Sequence, residues 1–185
     1  MTTTGLTLGA LALASGESER VRPRWRDIPL GLAIAAGLFA IFRIGDRKAR
    51  EIMPKGDEQI AEIYALRSIA PPEEIALRLA AVVGPAEELF WRGWLQRRVG
   101  WLPASAAYAG AHLVTGNTTL VGAAAVAGIY WSALAAIGVP MTALIVSHAA
   151  WDIWIFLVQP TDREGDGGAG EGLPAPPRTE EGREV

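Results

Sequence analysis

Two histidines, at positions 112 and 148, supply all the imidazole in this 185-residue sequence, and both lie in long uncharged runs. Between Leu102 and Pro160 a single charged residue occurs, Asp152. An ionisable side chain in so apolar a run is expensive and is a functional hypothesis by default. Each histidine also has a polar neighbour at helical spacing: Tyr108 precedes His112 by four residues, and Asp152 follows His148 by four. Residues at i and i+4 lie about 40° apart on a helix, so each pair presents one face.

A third set stands upstream, in Gly84-Pro85-Ala86-Glu87-Glu88-Leu89-Phe90-Trp91-Arg92. Glu88 and Arg92 are at i, i+4 in the order that favours an ion pair. Glu87 points about 100° away from Glu88, so the economical assignment gives Glu88 to Arg92 and leaves Glu87 without a local cation. Pro85 removes one helix hydrogen bond just before it, opening the backbone there. A free carboxylate, two imidazoles and a further Asp can activate water, with one group taking its proton and others stabilising an oxyanion. They are equally close to the two-His, one-Glu set of a catalytic zinc ion. Any single pair can simply hold helices together. Three sets with no other charge in the last three helices argue for chemistry.

The elements that must position these groups are helices. Gly5–Ala14 is apolar but short and has no basic residue before it, unlike a secretory signal. Residues 1–27 are expected to be a flexible or surface-lying lead-in ending in Arg20, Arg22, Arg24, Trp25 and Arg26, types that suit a headgroup region. A first span is predicted over Ile28–Ile44, with Asp27 as a possible N-cap, Pro29 in the first turn, and Arg43, Arg47, Lys48 and Arg50 at its far end. Both flanks are basic, so orientation stays open. Asp57–Ala70 reads as a short amphipathic connector, completing a unit over 28–70. A helix opening at Glu73 and Glu74 and closing at Arg97, Arg98 and Gly100 carries the acid pair. Leu102–Val114, Leu120–Ile137 and a helix from Pro140 to about Val158 complete a core over 71–159. Residues 160–185, rich in Pro, Gly, Glu and Arg, are expected to be a disordered tail. The fold class expected is all-α, an integral membrane bundle of about five transmembrane helices.

Composition narrows the partners. Half of the residues are hydrophobic, the mean hydropathy is +0.22, the formal net charge is −3 and Cys is absent. A negative chain argues against nucleic acid, and the lack of Cys excludes disulfides and thiolate-held metals. Trp91, Trp94, Trp101, Trp151 and Trp154 read as interface belts. No internal repeat, Gly-rich phosphate loop or G-x-S-x-G motif is present.

Taken in order, Glu87-Glu88-x-x-x-Arg92, Tyr108-x-x-x-His112 and His148-x-x-x-Asp152 resemble the three motifs EExxxR, FxxxH and HxxxN or HxxxD of the CPBP family. That family holds CAAX-processing endopeptidases and bacterial relatives linked to bacteriocin processing or self-immunity. The resemblance covers roughly 71–160 and includes Pro85 and Phe90. It implies a proteolytic site facing an internal cavity. Glu87 would activate water together with His112, His148 and Asp152 would stabilise the oxyanion, and Glu88 and Arg92 would support them. Two positions depart from the commoner pattern. Tyr108 stands for Phe and adds a hydroxyl able to reach His112. Asp152 stands for Asn, and an ionised Asp accepts hydrogen bonds but donates none.

The expected function is therefore an intramembrane endopeptidase, a CAAX-like hydrolase of the plasma membrane acting on a peptide or protein substrate. Rival readings are a catalytically silent immunity or scaffold protein of the same fold, and a small transporter or proton relay. As a metalloprotease it would hold Zn²⁺ through His112 and His148 with Glu87. Each metal-bound His needs an orienting partner, and that use of Glu87 would remove the free base. Glutamate-activated water without a metal avoids the conflict and is the preferred expectation.

Overall fold

A computed structural model of the chain describes residues 2–16, 21–52, 56–65 and 70–158. Every regular element among them is helical. The expected tail at 160–185 and the end of the connector at 66–69 lie outside the described residues. The helices are α1 (Thr2–Ala14), α2 (Asp27–Ile52), α3 (Gly56–Ala65), α4 (72–99), α5 (Trp101–Ala111), α6 (Thr118–Ala136) and α7 (Met141–Ile153). Three stretches are long and apolar enough to cross a bilayer, Asp27–Gly45, Thr118–Ala136 and Met141–Val158. The protein is an integral membrane helical bundle. Of the five spans expected, α4 carries too many charges to qualify by composition, and α5, at 11 residues, rises only about 16 Å.

The core forms where α2 meets α7, and small residues make the approach possible. A Cβ on Gly31 would lie 2.6 Å from the carbonyl oxygen of Ala143, so the two backbones touch there. Packing of this kind replaces the hydrophobic drive that lipid cannot supply. Ile34 and Leu38 follow on the same face and join Trp131, Ala143, Leu144 and Trp151 in one buried cluster. Trp91 and Trp151 are each only 8% exposed, so these two belong to the core rather than to an interface belt. Trp101 and Trp154, each 39% exposed, fit the belt better.

The N-terminal stretch departs from the expected lead-in. Thr2–Ala14 is helical, and Ala12 is fully buried. Gly9 lies so close to Ala86 that an added Cβ would come within 3.2 Å of its side chain, while Leu8 packs on the cluster of Trp91, Tyr108 and Ala124. The order comes from close packing of small residues on α4, which neither charge nor periodicity reveals.

Helix α4 is one continuous rod with two π-helical stretches, Leu79–Val83 and Leu89–Leu95, around the α-helical turn Gly84–Glu88. The first ends with the Gly84 N–H donating to the Leu79 carbonyl, an i→i−5 bond directly before Pro85. Widening the helix there accommodates the missing proline donor. In the second stretch the Gln96 N–H reaches the Trp91 carbonyl. Each such insertion turns the residues beyond it by about 100° relative to an uninterrupted α-helix.

Candidate active site

The acid turn of α4 faces the middle of α7. Glu88 is fully buried, and its Oε1 accepts from Arg92 Nη1 at 2.9 Å, as the spacing predicts. The same oxygen lies 2.7 Å from His148 Nδ1, a bond across 60 residues of sequence. Assigning Glu88 to Arg92 alone therefore understates its role. It binds two partners and ties α4 to α7. A carboxylate only accepts, so His148 Nδ1 carries the proton. That leaves His148 Nε2 facing Asp152 Oδ2 at 3.5 Å and Glu87 Oε2 at 3.9 Å. The two adjacent acids thus address different nitrogens of one ring, which their 100° separation on the helix permits.

The ring of His148 is held from the side as well. Trp131 of α6 stacks on it at 4.2 Å between centroids with an interplanar angle of 17°. The indole N–H of Trp131 donates to Ser147 Oγ at 3.0 Å, and both residues are buried. The ring face, one nitrogen and the backbone are then all fixed, and Nε2 remains beside the two less buried acids. The side chains of Glu87 and Asp152 keep 18% and 13% exposure, against none for Glu88.

Arg92 is the second organiser. Its guanidinium reaches the Gly128 carbonyl at 3.4 Å and covers the Tyr108 ring at 4.6 Å and the Trp131 ring at 5.3 Å. Gly128 is required at this crossing, because a Cβ there would lie 2.9 Å from Tyr108 Cδ1. One turn further along α4, Gln96 Nε2 donates to the Ser132 carbonyl at 2.9 Å, pinning α4 to α6 again. Sequence reasoning did not single out Trp131, Ser147, Gly128 or Gln96. A buried Trp and Ser in an uncharged span carry no local signal of their partners.

Among the described residues, His112 has no direct hydrogen bond or ion pair with Glu87, Glu88, Arg92, His148 or Asp152. Its Nδ1 lies 2.9 Å from the Tyr108 backbone carbonyl. A carbonyl only accepts, so this nitrogen is the donor and Nε2 is left as the bare acceptor. The expected reach from the Tyr108 hydroxyl is replaced by this backbone bond and by an edge contact between the rings at 4.9 Å. Tyr108 is the link between the two regions. It is buried, touches His112 and Arg92, and lies within electrostatic reach of Glu87, Glu88 and Asp152. The structure therefore gathers Glu87, Glu88, Arg92, His148 and Asp152 directly, and joins His112 to them through Tyr108.

Among the described residues, no group of three or more His, Asp or Glu side chains is placed to hold a metal ion. Each imidazole spends Nδ1, on Glu88 and on the Tyr108 carbonyl, which is the orienting bond a metal-bound His needs and leaves Nε2 as the nitrogen that could ligate.

Residues 73–154, a stretch that spans all six of these positions, match the family model of the type II CAAX prenyl endopeptidases, Rce1-like. The match covers less than half of the chain and is a likeness that supports a CPBP-family protein. No curated protein matches the chain, and no solved structure does. The matched segment begins at the first turn of α4 and ends at Trp154, just after Asp152. At the level of the family this supports a membrane protease.

Proposed function

We propose that the protein is an intramembrane endopeptidase that hydrolyses a peptide bond with water activated by Glu87. The observation that carries the reading is the bracketing of one buried imidazole by three carboxylates from two helices, inside an apolar bundle. A purely structural pair would need only Glu88 and Arg92. Glu87 and Asp152 have no such structural task, and they keep the exposure that a water-using site requires.

In this reading Glu87 takes a proton from water while the bare Nε2 of His112 orients it. The water oxygen bonds to the scissile carbonyl carbon, and the carbonyl π pair moves onto its oxygen. His148, protonated on both ring nitrogens among the three carboxylates, donates its Nε2–H to that oxyanion, with Asp152 beside it to balance the charge. When the tetrahedral intermediate collapses, the C–N bond breaks and the leaving amine receives the proton that Glu87 holds. Glu88 and Arg92 keep His148 in place and do not touch the reacting atoms. The substrate is a peptide or protein segment reaching the site from the bilayer or its boundary, and the membrane we assign is the plasma membrane.

The test is a Glu87→Gln protein, which trades a base for an isosteric amide. It should fold like the wild type, lose turnover, and retain uncleaved substrate that co-purifies from native membranes and is seen by mass spectrometry. Retained cleavage overturns the reading, and a variant and wild type that both lack turnover favour a silent scaffold instead. We further propose that catalysis proceeds without a metal. Chelation should leave turnover unchanged, whereas stoichiometric zinc whose removal abolishes turnover, and whose return restores it, reverses that choice.

A further inference from the structure

On the far side of Arg92 from the acids, two adjoining cavities open at the end of the bundle where α7 begins. The larger, about 480 Å³, is walled mostly by apolar residues such as Leu89, Trp101, Val139 and Leu144, with Arg92, Gln96 and Arg97 on one side. The smaller, about 220 Å³, is lined by Arg22, Arg24 and Asp27 beside Pro140 and Thr142. Val21 and Met141 border both, so the two form one site with a wide, mostly apolar part and a smaller basic part. None of Glu87, His112, His148 and Asp152 lines either cavity.

We propose that this double cavity binds an anionic phospholipid, with its phosphate between Arg22 and Arg24 and an acyl chain in the larger cavity. Charge favours that ligand. Arg22, Arg24 and Arg26 are exposed, and the one acid on the wall, Asp27, is itself only 3% exposed. Position favours it independently. Trp25 is 81% exposed, and Ile28, Leu30 and Leu32 just beyond it are exposed apolar residues on a membrane-spanning helix. The pattern of an exposed Trp and arginines before an apolar span belongs to the headgroup boundary. A basic pocket between helices at that depth meets lipid phosphates before any soluble anion. The site goes beyond the proteolytic reading and does not depend on it.

The experiment counts bound lipid, so its outcome is independent of hydrolysis. Full-length protein purified in neutral detergent is titrated with phosphatidylglycerol or phosphatidylcholine and observed by native mass spectrometry. Saturable binding of one phosphatidylglycerol, with phosphatidylcholine binding far more weakly, is expected. Arg22→Gln together with Arg24→Gln should weaken it about 30-fold, at about 1 kcal/mol for each arginine near a lipid surface. Met141→Trp, which fills the border of the larger cavity, should weaken lipid without removing the basic residues. Equal binding of the two lipids by the wild type overturns the proposal even if no variant folds. So does an undiminished affinity in the double variant. Inorganic phosphate that displaces the lipid at low millimolar concentration also overturns it, by showing an anion site with no use for the acyl chain.

Discussion

Replacing Arg92 by Ala tests whether the buried ion pair organises the site. Arg92 is 2% exposed and Glu88 is fully buried, so neither charge has water to fall back on. Among the described residues, Glu88 Oε2 has no hydrogen-bond partner, and the pairing of Glu88 runs through Oε1 to Arg92 and His148. Removing the guanidinium leaves that carboxylate with His148 alone, strips the donor from the Gly128 carbonyl, and uncovers the Tyr108 and Trp131 rings. Breaking a buried pair by deleting one partner costs about 3–5 kcal/mol. For a chain of this length that corresponds to a fall in Tm of roughly 6–20 °C. Heating detergent-solubilised protein and measuring the surviving monomer peak by size exclusion reads it. Arg92→Lys should fall between, since one ammonium cannot serve Glu88, the Gly128 carbonyl and two rings together. Replacing both partners, Glu88→Leu with Arg92→Leu, should recover much of the stability. It should not recover turnover, because His148 has then lost the acceptor for Nδ1. An Arg92→Ala protein that melts with the wild type refutes the assignment.

Asp152→Asn should retain proteolysis and hold it towards higher pH, because an amide donates to an oxyanion at every pH whereas a carboxyl donates only when protonated. A hundredfold or greater loss of kcat/KM across the pH profile would show instead that the negative charge beside His148 is required. Gly128→Ala should lower stability by about 1–3 kcal/mol, the usual range for an overpacked core, since the new Cβ meets Tyr108 Cδ1 at 2.9 Å. A thermal melt unchanged from wild type would mean that α5 and α6 separate more easily than their contact suggests.

Much of the fold was legible because its signals are local. Glu73 and Glu74 open α4 and Arg97, Arg98 and Gly100 close it, and the punctuation falls where dipole and capping rules place it. The break at Gly116-Asn117 is real. Gly116 adopts φ of 69°, and Asn117 accepts from the Leu120 N–H at 2.8 Å to start α6. The first helix was not legible, since its order depends on Gly9 meeting Ala86, a contact between two small residues far apart in the chain. The connector shows the same limit. The amphipathic pattern marks α3 as a helix. It gives no hint that Gln59 Oε1 accepts from the Thr119 N–H and from the Thr118 and Thr119 hydroxyls, or that Asn117 Nδ2 reaches the Gln59 carbonyl.

At the site the division is finer. Pairs at i, i+4 say which residues share a face, and Glu88–Arg92 follows from that alone. They do not say which acid a distant ring will choose. A wheel argument hands the free partners to Glu87, yet His148 Nδ1 goes to Glu88, because Glu88 points into the bundle and Glu87 keeps some exposure. That choice separates the tasks. The fully buried acid neutralises Arg92 and fixes the ring, so its charge is spent within the protein. The less buried acid stands 3.9 Å from the other nitrogen with its own charge uncommitted. A general base must be near its partners and still free to accept a proton, and of the two glutamates only Glu87 meets both conditions. The same reasoning explains why His112 needs no direct bond to the cluster. Its Nδ1 is held by the Tyr108 carbonyl, so Nε2 is a fixed acceptor that needs no carboxylate beside it. Tyr108, packed against both His112 and Arg92, then sets the distance between that acceptor and the acids of α4.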